Sequence, residues 1–196
     1  MSKHLTFDSA SHTYRMLGGV VVPSVTQVLG PVFHDFSKVP KDVLQSAQER
    51  GTLAHEATAL DAHGRLDEST VDDDIKPYLE AWRAFMADSF ARVVATEQRV
   101  YHALYGYAGT LDHVLLLSGV LTIIDKKTGQ PHDADRMQTA AYLDAYNYAL
   151  RPAARVRRRA ALYLRPTGQY ALEYHNDKAD FQDFLSALNV HKRKMR

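Results

Sequence analysis

The hydrophobic pattern changes its period several times along the chain, and each change marks a predicted element. Residues 5–14 and 18–22 read as a short N-terminal hairpin. The run Pro-Ser-Val-Thr-Gln-Val-Leu at 23–29 reads as a turn opening a helix, with Ser24 as candidate N-cap. Pro31 and Pro40 bracket an irregular segment. A long helical pattern runs from Asp42 to about His63 and ends near Gly64. A second runs from Asp73 to about Val93, with Trp82, Phe85 and Phe90 expected in the core. Residues 97–104 read as a strand and 109–129 as a hairpin. Residues 134–150 form a helix stopped by Pro152, residues 156–164 and 170–174 a further hairpin, and residues 177–194 a terminal helix. This order predicts one mixed α/β domain: a central sheet of about five strands flanked by helices, with an added N-terminal hairpin. Its core spans about 42–175, with residues 1–40 before it and a helix with a basic tail, 177–196, after it.

The turn of the 109–129 hairpin sets where its polar residues point. Ser118 and Gly119 separate two apolar runs, 114–117 and 120–124. A two-residue link containing Gly is the usual hairpin turn. Pairing outward from Leu117 and Val120 then sets Asp112 opposite Asp125. Opposed side chains lie about 4.5–5.5 Å apart at Cβ, so two bare carboxylates repel unless a cation joins them. Alternation puts Lys127 on the same face as Asp125 and Lys126 on the other. Val114, Leu116, Leu121 and Ile123 share the face of the acids and read as core.

Composition narrows the chemistry. The 196 residues are 45% apolar and include no cysteine. Disulfides, thiolate zinc sites and iron–sulfur clusters are therefore excluded. No apolar run reaches membrane-spanning length and the N-terminus is polar, so a cytoplasmic protein is expected, without membrane contact. The net charge of +1 makes no case for nucleic acid by itself. Charge is uneven, though: Arg151, Arg155, Arg157, Arg158 and Arg159 cluster, the tail from His191 is basic, and residues 67–74 are acidic. A solvated face is the commoner meaning of such runs.

Two opposed carboxylates suit a hard divalent cation, magnesium or manganese. An ammonium beside it, Lys127, is useful where negative charge builds on phosphoryl oxygens. Three further elements could join them. His55 lies in the long helix and its imidazole suits manganese, but it is one of ten histidines and a lone one is more often structural. Gly51, one turn before it, costs about 1 kcal/mol against Ala in a helix interior, which suggests close approach of a backbone or ligand, with a simple packing contact as the plain alternative. Gln138 and Tyr142 are four apart on one helical face and could brace Lys127 or a phosphate, or be an exposed residue beside a core one. Glu97, at the start of its strand, could be another ligand, though a surface glutamate is the plainer reading.

In this order, G…H at 51 and 55, Glu97, G-T-L-D at 109–112, I-D-K-K-T-G at 124–129 and Q-T-A-A-Y at 138–142 resemble the RecB-like branch of the PD-(D/E)XK nucleases. That branch includes phage exonucleases of the lambda type. The resemblance covers about His55 to Tyr142. It implies a restriction-endonuclease-like core and a Mg2+- or Mn2+-dependent phosphodiesterase acting on DNA. It implies that His55, Asp112 and Asp125 bind the metal with the Lys126 backbone carbonyl, and that Glu97 coordinates a second ion. Lys127 is then the catalytic lysine, with Asp112 and Asp125, and Gln138 and Tyr142 support the site and contact DNA. The P-S-V-T at 23–26 is also similar to this branch, and helix N-termini bind phosphate, so Ser24 or Thr26 is placed on a DNA phosphate. Plain capping explains Ser24 equally well.

The resemblance has departures: Leu111 stands where many relatives have proline, and the second acid is Asp125 rather than glutamate. The function expected is a DNA nuclease, an exonuclease ahead of an endonuclease, in recombination, repair or phage DNA metabolism within a bacterial or phage-infected cell. A recombination partner protein or a homo-oligomer would accompany it. The rival is a non-catalytic DNA-binding or assembly subunit retaining the fold. A plain structural domain ranks last, because it leaves the face of Asp112, Asp125 and Lys127 unexplained.

Overall fold

A computed structural model describes residues 5–9, 11–33 and 39–195. Three short strands, β1 (Leu5–Asp8), β2 (Thr13–Met16) and β3 (Val21–Val22), form a small antiparallel sheet. Helices α1 (Val25–Phe33), α2 (Lys41–Ala62) and α3 (Lys76–Ser89) follow. Next come β4 (Arg92–His102), β5 (Tyr107–Leu117), β6 (Val120–Lys127), α4 (Asp133–Tyr148), β7 (Arg158–Leu164), β8 (Tyr170–Tyr174) and α5 (Ala179–Lys194). The last five strands make one mixed sheet in sequence order, antiparallel except where β6 meets β7 in parallel through the α4 crossover. This is the α/β architecture predicted, with helices on both faces.

Strand alternation divides the sheet's side chains between two cores. On one face Val114 and Ile123 pack with Val28 and Leu29 of α1, Met137 and Ala141 of α4, and Phe184 and Leu188 of α5. On the other, Leu115, Leu117, Ile124 and Leu162 pack with Ala54 of α2 and Tyr78, Trp82 and Phe85 of α3. Each such large side chain contributes about 1.5–3 kcal/mol on burial. Tyr14, Val22 and Ala108 dock the small sheet onto β5, and Tyr14 Oη lies 2.7 Å from Thr110 Oγ1.

The β5–β6 turn is the one predicted. Ser118 and Gly119 take φ of 48° and 78°, the left-handed pair that a tight turn between right-twisted strands needs. Pairing runs from Leu117–Val120 to His113–Ile124, the register inferred from the turn.

Several expectations change. The N-terminal segment is a three-stranded sheet rather than one hairpin. Pro31 lies inside α1, which runs on to Phe33, instead of opening the irregular segment, and residues 34–38 of that segment lie outside the described residues. Phe90 is not core. It is 88% exposed and caps α3 with φ of 49°, so the chain leaves the helix there and β4 begins two residues later. Glu97 therefore sits within β4, not at its start, and its φ is also 49°.

Candidate active site

The β5–β6 ladder is paired as far as His113 and Ile124, and the next step in the same register is Asp112 with Asp125. There a side chain takes over from the ladder: the Lys126 backbone N–H donates to Asp112 Oδ2 at 2.6 Å. Both carboxylates are buried, at 6% and 2% exposure. Beyond β6, α4 starts with a reciprocal cap in which His132 Nδ1 accepts from the Ala134 N–H and Asp135 Oδ2 accepts from the His132 N–H. That fixed start brings Gln138 and Tyr142, one turn apart, against the end of the strand pair. Gly109 of β5 leaves room for the Tyr142 ring.

One polar network results. Lys127 Nζ lies 2.8 Å from Asp125 Oδ2, donates to Gln138 Oε1 at 2.7 Å, and lies 3.6 Å from Asp135 Oδ1. Gln138 Nε2 donates to Asp125 Oδ1 and to Tyr142 Oη, each at 3.2 Å. Asp125 Oδ2 is a buried oxygen with no hydrogen bond, its contact with Lys127 being an ion pair without hydrogen-bond alignment. From the other side α2 delivers His55, whose Nδ1 lies 3.1 Å from Asp112 Oδ1. Lys126 sends its side chain across the sheet, away from Lys127, to Thr58 Oγ1 at 2.7 Å and the His55 carbonyl at 3.2 Å. The split of the two lysines follows the alternation predicted.

The two acids differ electrostatically. Burial pushes Asp125 up from 3.8 to about 6, against the pull of Lys127 and with help from Asp112 repulsion. Burial acts the same way on Asp112, but there His55 and Lys126 outweigh it and hold the carboxyl well below its ordinary range. Lys127 is raised: burial opposes its charge, and Asp125 and Asp135 more than compensate. Glu97 is exposed, yet enough of its carboxyl is enclosed for burial, then Asp112 repulsion, to raise its pKa.

These groups line one cavity of about 880 Å³. His55, Glu97, Asp112, Asp125, Lys127, Gln138, Tyr142, Ser24 and Thr26 all border it. Lys126 does not line the cavity, but its backbone N–H is bonded to Asp112, so the predicted residues lie together. Ser24 is engaged as a helix cap: its Oγ accepts from the Gln27 N–H at 3.1 Å, and Gln27 Oε1 accepts from the Ser24 N–H at 3.0 Å. Gly51 is not forced by a close approach, since an added Cβ would meet Thr128 Oγ1 at an ordinary 3.5 Å.

Sequence reasoning missed Asp135, which is the second acid near Lys127, and, though it singled out the G-T-L-D stretch, did not foresee that Gly109 admits the Tyr142 ring. It also missed His113, stacked on Trp82 at 4.6 Å beneath the acids. The signal for Asp135 was present, one turn before Gln138 on the same helical face.

Among the described residues, no group of three His, Asp or Glu side chains is gathered to hold a metal ion by itself. The donors nonetheless suit magnesium, which keeps several waters and is commonly bound by one or two carboxylates. Asp125 Oδ2, paired with Lys127 but without an aligned hydrogen bond, keeps acceptor capacity for an ion. His55 Nδ1 lies 3.1 Å from Asp112 Oδ1, so its imidazole stands beside the carboxylates that would hold such an ion.

No protein-family model matches the chain, and no curated protein matches it. Among solved structures 22 chains match. One, a crystal structure of SSO0001, is 16% identical, with 76% of this chain and 72% of that one covered and a TM-score of 0.38. A likeness so distant assigns no function.

Proposed function

We propose that the chain is a Mg2+- or Mn2+-dependent DNA nuclease, an exonuclease ahead of an endonuclease. One observation carries this reading. Two buried carboxylates from adjacent strands, Asp112 and Asp125, border one cavity with a lysine ammonium 2.8 Å from the second. Asp112 and Asp125 would hold the ion, with His55 beside Asp112 and Glu97 also bordering the cavity. When bound, the ion supplies an acidified water and neutralises phosphoryl charge. The Lys126 carbonyl has weaker support, because Lys126 does not border the cavity.

The chain's own residues do the rest. Water attacks phosphorus, one P–O bond breaks, and a phosphate monoester and a free hydroxyl result. Lys127, ion-paired with Asp125 and bonded to Gln138, keeps its proton and stabilises charge on the phosphoryl oxygens. Gln138, braced by Tyr142, fixes the orientation of Asp125. Thr26, exposed at the start of α1 on the cavity wall, would meet a backbone phosphate at the helix N-terminus, while buried Ser24 supports that turn as its cap. None of these groups reads a base edge, so cleavage should be indifferent to sequence.

The test uses linear end-labelled duplex and a circular control. Digestion of the linear form with Mg2+ or Mn2+, stopped by EDTA and absent in Asp125→Asn, supports the reading. Cleavage of the circle as well would make it an endonuclease. Binding of DNA without cleavage would assign the chain to the non-catalytic alternative.

A further inference from the structure

We propose that Lys126 is a positioning residue of this site, fixing Asp112 with its backbone and the His55 turn of α2 with its side chain. The proposal rests on the nuclease reading only for its activity readout. Lys126 is fully buried, which lysine almost never is without a charged partner. Among the described residues no carboxylate forms an ion pair with it. Its Nζ instead meets two neutral oxygens, Thr58 Oγ1 at 2.7 Å and the His55 carbonyl at 3.2 Å, and lies 5.7 Å from the Trp82 ring centroid. The Thr58 hydroxyl is shared with the same turn, 2.7 Å from the Ala54 carbonyl and 3.0 Å from that of His55. The ammonium therefore grips one turn of α2.

The same residue's N–H holds Asp112 Oδ2 at 2.6 Å, while the other oxygen of Asp112 meets the His55 ring at 3.1 Å. Asp112, His55 and Lys126 thus close a triangle spanning a strand, a neighbouring strand and a helix. An apolar side chain of similar length would fill the space against Trp82 without the desolvation cost of a buried charge. What it could not do is hold the His55 carbonyl. The device is separate from Lys127, which works on the opposite face of the sheet.

The experiment compares wild type with Lys126→Met, read by the ring ¹⁵N resonances of His55 at one fixed pH. The signal is assigned through its loss in His55→Gln. We expect Lys126→Met to fold, the His55 Nδ1 resonance to move away from its Asp112-bonded position, and kcat on DNA to fall about tenfold or more with KM unchanged. A folded variant with an unmoved His55 resonance overturns the proposal. Should Lys126→Met fail to fold, Thr58→Val removes the hydroxyl grip and keeps the charge. It should move the same resonance in the same direction, and an unmoved one overturns the proposal. Should wild type cleave no DNA, the nuclease reading fails alone and the imidazole signal still decides.

Discussion

Gly109 and Tyr142 share a space that leaves no room for a side chain: a Cβ on Gly109 would lie 2.5 Å from Tyr142 Cε1 and 3.3 Å from Cδ1. Tyr142 is buried and bonded to Gln138, so its ring cannot swing freely out of the way. Gly109→Ala should therefore destabilise the protein by about 1–3 kcal/mol, the usual range for overpacking. Denaturant unfolding measures it. With Tyr142→Ala added, the total loss should be smaller than the sum of the two single losses, because the clash needs both partners. Strictly additive losses would show that the ring shifts without strain.

The path from sequence to site was legible where it depended on alternation alone. A two-residue turn between two apolar runs fixed the register, and the register fixed the faces of Asp112, Asp125, Lys126 and Lys127. It was not legible where a residue's partner lies far along the chain. Arg159 reads as a surface charge in an arginine-rich stretch, but its guanidinium is buried against Asp180, 21 residues on. His113 reads as one polar residue in an apolar strand, and only the placement of α3 puts Trp82 against it. Phe90 carries the apolar signal of a core residue, and no local pattern says that the helix ends under it.

Asp125 should oppose folding while serving the site. Its folded pKa of about 6 lies above the ordinary 3.8, so the folded state binds this proton more tightly. Below pH 4 both states are protonated and nothing is lost. As pH rises through 6 the folded state must carry a buried charge, and stability falls by an amount on the order of 2–3 kcal/mol. Asp125→Asn removes this titration but also takes from Lys127 the carboxylate 2.8 Å away, so the two variants' absolute stabilities are set by both effects. The expected signature is in the slope: between pH 4 and pH 8 metal-free Asp125→Asn should lose less stability than wild type. Melting curves across that range check it, and parallel profiles would refute it.

His113 sets an acid limit. Burial above all, then Lys126 repulsion, depresses its pKa from 6.5 to about 3, against the attraction of Asp112. The unfolded chain takes up this proton near pH 6.5 and the folded chain does not. Stability is thus present above 6.5 and drains as pH falls toward 3, by at most about 1.4 kcal/mol per pH unit. His113→Phe keeps a ring on Trp82 and removes both the titration and a buried Nε2 with no partner. It should match wild type at pH 7.5 and lose less stability down to pH 4. His102 and His175, also depressed by burial, leave a residual slope. Parallel pH profiles would show that His113 does not titrate as described.

The arginine cluster separates into two kinds of residue. Arg159 bonds the Arg136 and Asp177 carbonyls and pairs with Asp180 at 2.6 Å, tying β7 to α4 and α5. Arg158 bonds the Leu117 carbonyl and Thr122 and lies over the Tyr174 ring. Arg155 and Arg157 are exposed, and no hydrogen bond or ion pair of their side chains occurs among the described residues. Arg159→Leu leaves Asp180 buried with only Arg136 at 3.5 Å, and should cost about 3 kcal/mol or more. Joint Arg155→Ala and Arg157→Ala should change stability by no more than about 0.5 kcal/mol. If those two arginines meet the backbone of bound DNA, the double variant should bind every sequence more weakly and with a shallower salt dependence. Denaturant unfolding and DNA binding over a salt series read both effects. An unchanged salt slope would remove the segment before β7 from the proposed DNA path and restrict that proposal to the cavity, with Lys127 and the start of α1.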